Sequence, residues 1–536
     1  GIRRPPSALN KAAPRGESLD EGITAPNSMT HRQILLVFSG LMLGLFLAAL
    51  DQTIVATALP TIAGELGGLE HLSWVVTAYL LTSTASAPLY GKVSDMYGRK
   101  IVFQFAIVTF LIGSVLAGMS QSMTQLIAFR AIQGLGAGGL IVMTFTIVGD
   151  VLSPRERGRY QGYIGSVFAV ASIAGPLLGG FFVDNFSWRW VFYINLPIGL
   201  AALFVTASVL NLPFRRVDHP VDYLGAGLLV GGVTSLLLVM VWGGSEYPWD
   251  SPMIIGLSIV AVTLLCLFLL QERRAAEPIL PLRLFRDRTF AITSAPGFII
   301  GLGMFGGIVF LPLFLQVVMG ASPTNSGLLL IPLMGGVVTS SIVSGRLITR
   351  TGRYKIFPLV GTTLMAIGLW LFSTMNTETS LLTASAFMLI FGTGIGLVLQ
   401  VLVIAVQNAV EARDLGVATS SATFFRSLGG SFGTALFGAV LTSQLAIRLA
   451  SLLPDGSEMG ELTGSPDLIT QLPAGTREVV MDAFSGAITT SFAIAVPFAL
   501  AALLLVVFLP ELPLRDTAHV GAGEPDATVS PGTIGH

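Results

Sequence analysis

Fourteen long apolar runs dominate the sequence, each close to the roughly 20 residues that a helix needs to cross a bilayer. They fall near 34–58, 72–91, 100–119, 123–149, 160–184, 189–210, 222–243 and 253–271, then near 290–318, 326–348, 355–374, 380–409, 416–444 and 483–509. Within each run the apolar residues are continuous, whereas transmembrane strands would alternate. Of the 536 residues, 53% are hydrophobic and 11% charged, against about 25% charged in soluble domains. The fold class expected is therefore an all-α membrane protein with fourteen transmembrane helices. A formal net charge of -1 gives no reason to expect a nucleic-acid partner. The single cysteine, Cys266, leaves no intramolecular disulfide or cysteine-rich metal site, and neither metal nor cofactor is expected.

Basic residues orient the stack. With a cytoplasmic N-terminus, 24 of the 29 Lys and Arg fall on the cytoplasmic side. Arg189, Arg448 and Arg477 lie outside, and Arg130 and Arg426 lie within spans. This is the positive-inside bias, and an even number of spans returns the C-terminus to the cytoplasm. Residues 1–33 and 510–536 read as disordered tails, and the first span reads as retained. The loop at 446–482 reads as a long acidic outer loop, and residues 273–290 as an interfacial segment along the inner surface.

An internal repeat organises the chain. Gly134 and Gly136 match Gly392 and Gly394 at a shift of 258, which also places Gly158 on Gly416, Gly175 on Gly433 and Gly180 on Gly438. GKVSDMYGRK (91–100) is echoed by GRLITRTGRYK (345–355). A six-helix bundle at 34–210 thus pairs with a second at 290–509. Between them, 211–289 is a linker carrying two inserted helices. Parallel halves of this kind can rock about a site between them.

Charge inside the spans marks the candidate chemistry. Asp51 is the one acid deep in the first half, and its burial in lipid would cost several kcal/mol, on the order of 2.5–3.5 or more. It lies eight residues from the outer end of its span, about 12 Å of depth, and Arg130 six residues in, about 9 Å. The matched depths suggest an ion pair, which is either static packing or a proton-coupling site that also takes a cationic cargo. Arg426 lies roughly 15 Å into span 13, where Gln400 and Asn195 are the polar candidates for its cavity. Its reading is either a carbonyl-satisfied structural arginine or a contact for an anionic cargo group. In the loop after span 2, Gly91 and Gly98 permit close backbone approach, Asp95 suits a helix N-terminus, and Arg99 and Lys100 hold the inner surface. Span 5 gathers Gly175, Pro176, Gly179 and Gly180, for which helix packing is an adequate account. The GxGxxG of Gly134, Gly136 and Gly139 lies mid-span with no preceding strand and is read as packing. No G-x-x-x-x-G-K-[ST] run occurs, which argues against ATP-driven transport.

GKVSDMYGRK, FRAIQGLGAGG (129–139), AGPLLGG (174–180) and LDQTIVATALP (50–60) together resemble signatures of the major facilitator superfamily, more narrowly its 14-helix drug:proton antiporter group. WRWVFYINLPIG (188–199) and EPILPLRLFRDRTF (277–290) are similar to segments of that group. The resemblance implies a secondary transporter of the cell membrane, not an enzyme, that exchanges protons for amphipathic, cationic compounds as a monomer in contact with membrane lipid. Asp51 would bind proton and substrate, Arg130 would take part in coupling, and Asp95 and Arg99 would latch the two halves on the cytoplasmic side. Gly175 and Pro176 would shape an antiporter-type helix. Met96 stands where the family often has a basic residue. Export of a lipid or endogenous metabolite is the alternative, and a non-transporting sensor or scaffold the second.

Overall fold

A computed structural model describes residues 31–66, 72–210, 222–244, 247–275, 278–321, 323–411, 414–449 and 474–515. Both tails beyond these limits and most of the acidic loop lie outside the described residues. The helices are α1 (His31–Leu66), α2 (Leu72–Tyr97), α3 (Arg99–Gly118), α4 (Met123–Val151), α5 (Pro154–Asn185), α6 (Trp190–Tyr193), α7 (Asn195–Val209), α8 (Tyr223–Trp242) and α9 (Pro252–Glu272). They continue as α10 (Arg288–Val317), α11 (Pro323–Leu329), α12 (Ile331–Thr351), α13 (Ile356–Ser373), α14 (Leu381–Ala409), α15 (Leu415–Leu449) and α16 (Ala474–Val507). Thirteen helical segments are long and apolar enough to cross a membrane. The fourteenth expected span, α2, falls short because Thr82, Ser83, Thr84 and Ser86 interrupt its apolar run.

Local signals set several helix starts. Ser122 and Ser380 accept backbone N–H bonds three residues on, and Ser153 forms a full capping box with Glu156 ahead of Pro154. That box fixes where α5 begins, and so where Arg155, Arg157 and Gly158 stand. Outward faces are apolar: along α3, Ile101, Phe105, Val108 and Ile112 are exposed at helical spacing. In water such a stripe would be a liability; in lipid it is the solvent-matched face.

The repeat is visible in the packing. In the first half α1 packs on α5 and α7, α4 on α2 and α3, and α3 on α7. In the second, α10 packs on α15 and α16, α14 on α12 and α13, and α13 on α16. These are the same pairings under the correspondence that the glycine repeat gives. Each half has its own apolar core, one around Phe103, Phe110 and Leu140, the other around Phe314, Phe372 and Phe391. The inserted pair α8–α9 packs against α2 and α15, so it bridges the halves along one side.

Residues 278–290, part of the 273–290 segment expected along the inner surface, also pack against the protein. Leu282–Arg286 form a short 3-10 turn, Ile279, Leu280 and Leu284 are buried in the protein, and Glu272 accepts the N–H groups of Ile279 and Leu280 at 3.1 Å each. Phe285 meets Phe425 edge-on, and Arg283 pairs with Asp414 at 2.7 Å. The apolar side chains that looked suited to a membrane surface fill the gap between the inserted pair and α15.

Candidate functional site

Asp51 and Arg130 meet inside the first bundle. The carboxylate is 0% exposed and the guanidinium 1%, and Arg130 Nη1 lies 2.5 Å from Asp51 Oδ2. Asp51 Oδ1 accepts from Gln133 Nε2 at 2.8 Å and from Asn195 Nδ2 at 3.1 Å. Both amides also donate to Ser114 Oγ, at 3.1 and 3.0 Å, and Ser114 donates onward to the Phe192 carbonyl at 2.8 Å. Arg130 further donates to Gln133 Oε1 at 2.7 Å and to the Val75 carbonyl at 3.2 Å, and stacks 4.2 Å from the Tyr79 ring centroid. Asn195 Oδ1 is buried with no hydrogen-bond partner among the described residues. The carboxylate thus accepts three bonds from groups on α4 and α7.

Sequence reasoning named Asp51, Arg130 and Asn195 but missed Gln133 and Ser114. Gln133 was legible, since it lies one turn after Arg130 on the same face of α4. Ser114 lies on α3 in an otherwise apolar run and carries no local signal. Asn195 sits at the start of α7, just after the short α6, and joins Asp51 rather than Arg426.

Between the bundles lies a cavity of about 830 Å³. Its walls come from both halves and from α8: Leu80 and Thr84, Phe145 and Phe168, Met240 and Val241, Gln400, Thr423 and Leu445 all line it. Gln52 and Thr53 of α1 line it too, but Asp51 and Arg130 are not among its lining residues. The carboxylate therefore sits on the face of α1 turned away from the cavity. Thr53 links the wall to α5 by donating to the Ala171 carbonyl at 2.9 Å. Gly175 and Gly179 let α5 press on α1, because a Cβ at either would collide with Thr53 or Thr57. Gly180 faces open space, and Gly327 of α11 packs beside Pro176. Arg426 and Gln400 line the cavity as their depths suggested, and the Arg426 guanidinium lies 5.9 Å from the Phe145 ring centroid on α4.

The cavity is closed at the end carrying the basic loops by two matched contacts. Gly91 of α2 packs on Gly416 and Ser420 of α15, and Gly345 of α12 packs on the Gly158 carbonyl of α5, each too close for a Cβ. Under the repeat these are the same contact made twice, with Gly91 matching Gly345 and Gly416 matching Gly158. The chemistry beside them differs. Asp95 Oδ2 accepts from the Val417 N–H at the start of α15 at 3.2 Å, while Arg99 pairs with Asp95 at 2.5 Å and with Asp150 at 2.6 Å. At the other contact Thr349 donates to the Arg155 carbonyl at 3.0 Å, and Arg155 Nε donates to the Thr349 carbonyl at 2.9 Å. Gly98 takes φ +94°, a left-handed turn that suits glycine and starts α3, and Lys100 donates to the Ala207 carbonyl at 2.7 Å.

A third link was not anticipated. Arg157 is 1% exposed and donates to Gln407 Oε1 of α14 at 2.9 Å, to the Leu152 carbonyl at 3.0 Å and to the Gly149 carbonyl. Gln407 in turn donates to the Phe145 carbonyl and to Thr419, both at 3.0 Å. A lone glutamine 250 residues from its arginine gives no sequence pattern from which to find it.

Residues 41–222 and 223–434 each match the model of the Major Facilitator Superfamily. The chain is 40% identical over 464 residues to the multidrug transporter protein MdtP of Bacillus subtilis, covering 82% of this chain and 85% of that protein. It is 37% identical over 496 residues to multidrug resistance protein 3 of the same organism, covering 90% and 96%. An uncharacterised MFS-type transporter of Mycobacterium tuberculosis is 43% identical over 481 residues, covering 90% and 70%. The proton:xylose symporter XylE shares the fold, with a TM-score of 0.59 at 14% identity over 92% of this chain and 99% of that one. With two bundles related by a repeat, a cavity between them and these relatives, the chain belongs to the Major Facilitator Superfamily and is a membrane transporter.

Proposed function

We propose that this transporter exports amphipathic small molecules by alternating access and that proton entry drives it through Asp51. The observation that carries this reading is the placement of Asp51: a sealed carboxylate on one face of α1, with Gln52 and Thr53 of the same helix in the cavity wall. A proton on Asp51 turns an acceptor into a donor and releases Arg130, and breaking one side of a buried ion pair costs about 3–5 kcal/mol. That energy is relieved by repacking α1 against α4 and α7, which moves Gln52 and Thr53 and, through Ala171, α5. Proton and cargo then act on opposite faces of one helix rather than compete for one carboxylate.

The closed contacts at Gly91–Gly416 and Gly158–Gly345 would separate on the cytoplasmic side in the other half of the cycle, with Asp95, Arg99 and Lys100 as the latch on one side and Thr349 and Arg155 on the other. The small residues of α5, with Pro176 among them, let α1 and α5 move as a unit. In proteoliposomes, Asp51→Asn should abolish uphill, pH-gradient-driven export while leaving downhill exchange of labelled cargo measurable. Uphill transport by the variant at the wild-type rate would reject Asp51 as the coupling site.

A further inference from the structure

Arg426 is the one ionisable side chain among the described residues lining the cavity; the other lining side chains are apolar, hydroxyl-bearing or amide. It carries five N–H donors and cannot discharge itself. Among the described residues no carboxylate pairs with it and no side chain or carbonyl accepts a hydrogen bond from it; its partner is the Phe145 ring face, 5.9 Å away. The acid that the sequence offered to a cationic cargo, Asp51, is saturated by its own donors and absent from the wall. The cavity therefore presents one uncompensated positive charge in an apolar surround, where a charge without a counter-ion is costly and a like charge is repelled.

Position adds direction. Arg426 lies eleven residues along α15 from Leu415, about 16 Å above the closed basic end, and the cavity continues past it to Leu445, some 28 Å further. Above the arginine the wall is mainly apolar, with Val76, Leu80, Met240, Val241 and Leu441 contributing. We propose that the cargo is an amphipathic organic anion whose carboxylate, sulfonate or phosphate docks on the Arg426 fork, with its apolar body lying toward the opposite end. The guanidinium can meet such a group with two parallel N–H bonds. This rests on the export reading and concerns the cargo's charge class, in place of the cationic cargo expected at Asp51.

The test is equilibrium binding to the purified full chain, without a proton gradient, of two radiolabelled probes: taurocholate as amphipathic anion and tetraphenylphosphonium as amphipathic cation. The expected result is saturable taurocholate binding by wild type, weakened at least tenfold in Arg426→Gln and less in Arg426→Lys. Tetraphenylphosphonium should bind wild type more weakly than it binds Arg426→Gln. That reversal of charge preference is not produced by a merely destabilised protein. Saturable binding of the cation alone, binding of neither probe, or taurocholate binding unchanged in Arg426→Gln would overturn the proposal. Because no gradient is present, failure here is separable from failure of Asp51 as coupling site, which appears only in gradient-driven transport.

Discussion

Replacing Gly345 by alanine should hold the basic end of the transporter open. The Gly345 backbone is pressed against the Gly158 carbonyl, and a Cβ there would overlap that oxygen. Both sides of the clash are backbone, so no side-chain rotation relieves it, and α5 and α12 must separate. Overpacking of this kind costs about 1–3 kcal/mol, and that penalty falls only on the state in which the contact is made. The closed population should drop relative to the open one by about 5- to 150-fold, since about 1.4 kcal/mol is a factor of ten. Spin labels at Arg159→Cys and Arg350→Cys, both exposed, report the separation of the two helices once the exposed Cys266 is replaced by serine. Double electron–electron resonance should show a longer mean distance for Gly345→Ala than for its parent. Gly256→Ala, where a Cβ meets only open space, should leave the distribution unchanged. Superimposable distributions for Gly345→Ala and its parent would refute the reasoning that this contact closes the cavity.

The Asp95 carboxyl is pushed up to about 6, from an ordinary 3.8, because its burial outweighs the attraction of Arg99. A carboxyl raised in the closed state binds its proton more tightly there than when exposed, so closure is strongest below about pH 4 and weakens as pH rises through 6. The same label pair should therefore shorten on going from pH 7 to pH 5, and Asp95→Asn should remove that dependence. An anionic cargo also changes the energetics: one proton entering against one monovalent anion leaving moves two charges, contributing about 4.6 kcal/mol per 100 mV, whereas exchange for a monovalent cation moves none. Export from proteoliposomes should accelerate when a potassium diffusion potential is imposed at constant pH, and no response would exclude anion–proton exchange at that ratio. Glu65 pairs with Arg189 at 2.5 Å near the surface, with Glu65 49% exposed and Arg189 partly buried at 29%. Glu65→Ala should lower the unfolding temperature only slightly, in keeping with about 0–1 kcal/mol for such pairs.

Much of the architecture was legible because the physics that writes it is local. Each span needs a largely apolar run, and the closest helix contacts need small residues, so the runs gave the spans and the glycines gave the repeat. The Gly158–Gly416 and 91–100 to 345–355 matches, read as similarity, turned out to mark the four corners of the closing contacts. Asp51 and Arg130 were matched by depth along their helices, and they do meet. Depth alone is a one-dimensional coordinate, however. It placed Asn195 beside Arg426, although α7 packs within the first bundle, where Asn195 meets Asp51, and Arg426 lies on α15. It also could not say which face of α1 carries Asp51. The protein contacts of residues 278–290 were not legible from composition, since mixed apolar and basic side chains suit a lipid surface and a protein groove equally well. Ser114 and Gln407 were invisible because a single polar residue in an apolar helix acquires meaning only from its neighbours in space.

The central claim is that a proton on Asp51 and cargo in the cavity exclude one another across α1. Proton release on adding taurocholate to purified protein in weakly buffered detergent tests it most directly, near the pH at which transport is half-maximal. The account predicts measurable release by wild type and none by Asp51→Asn, with cargo binding followed in the same samples. Equal release from both proteins would contradict it and place the coupled proton on another residue.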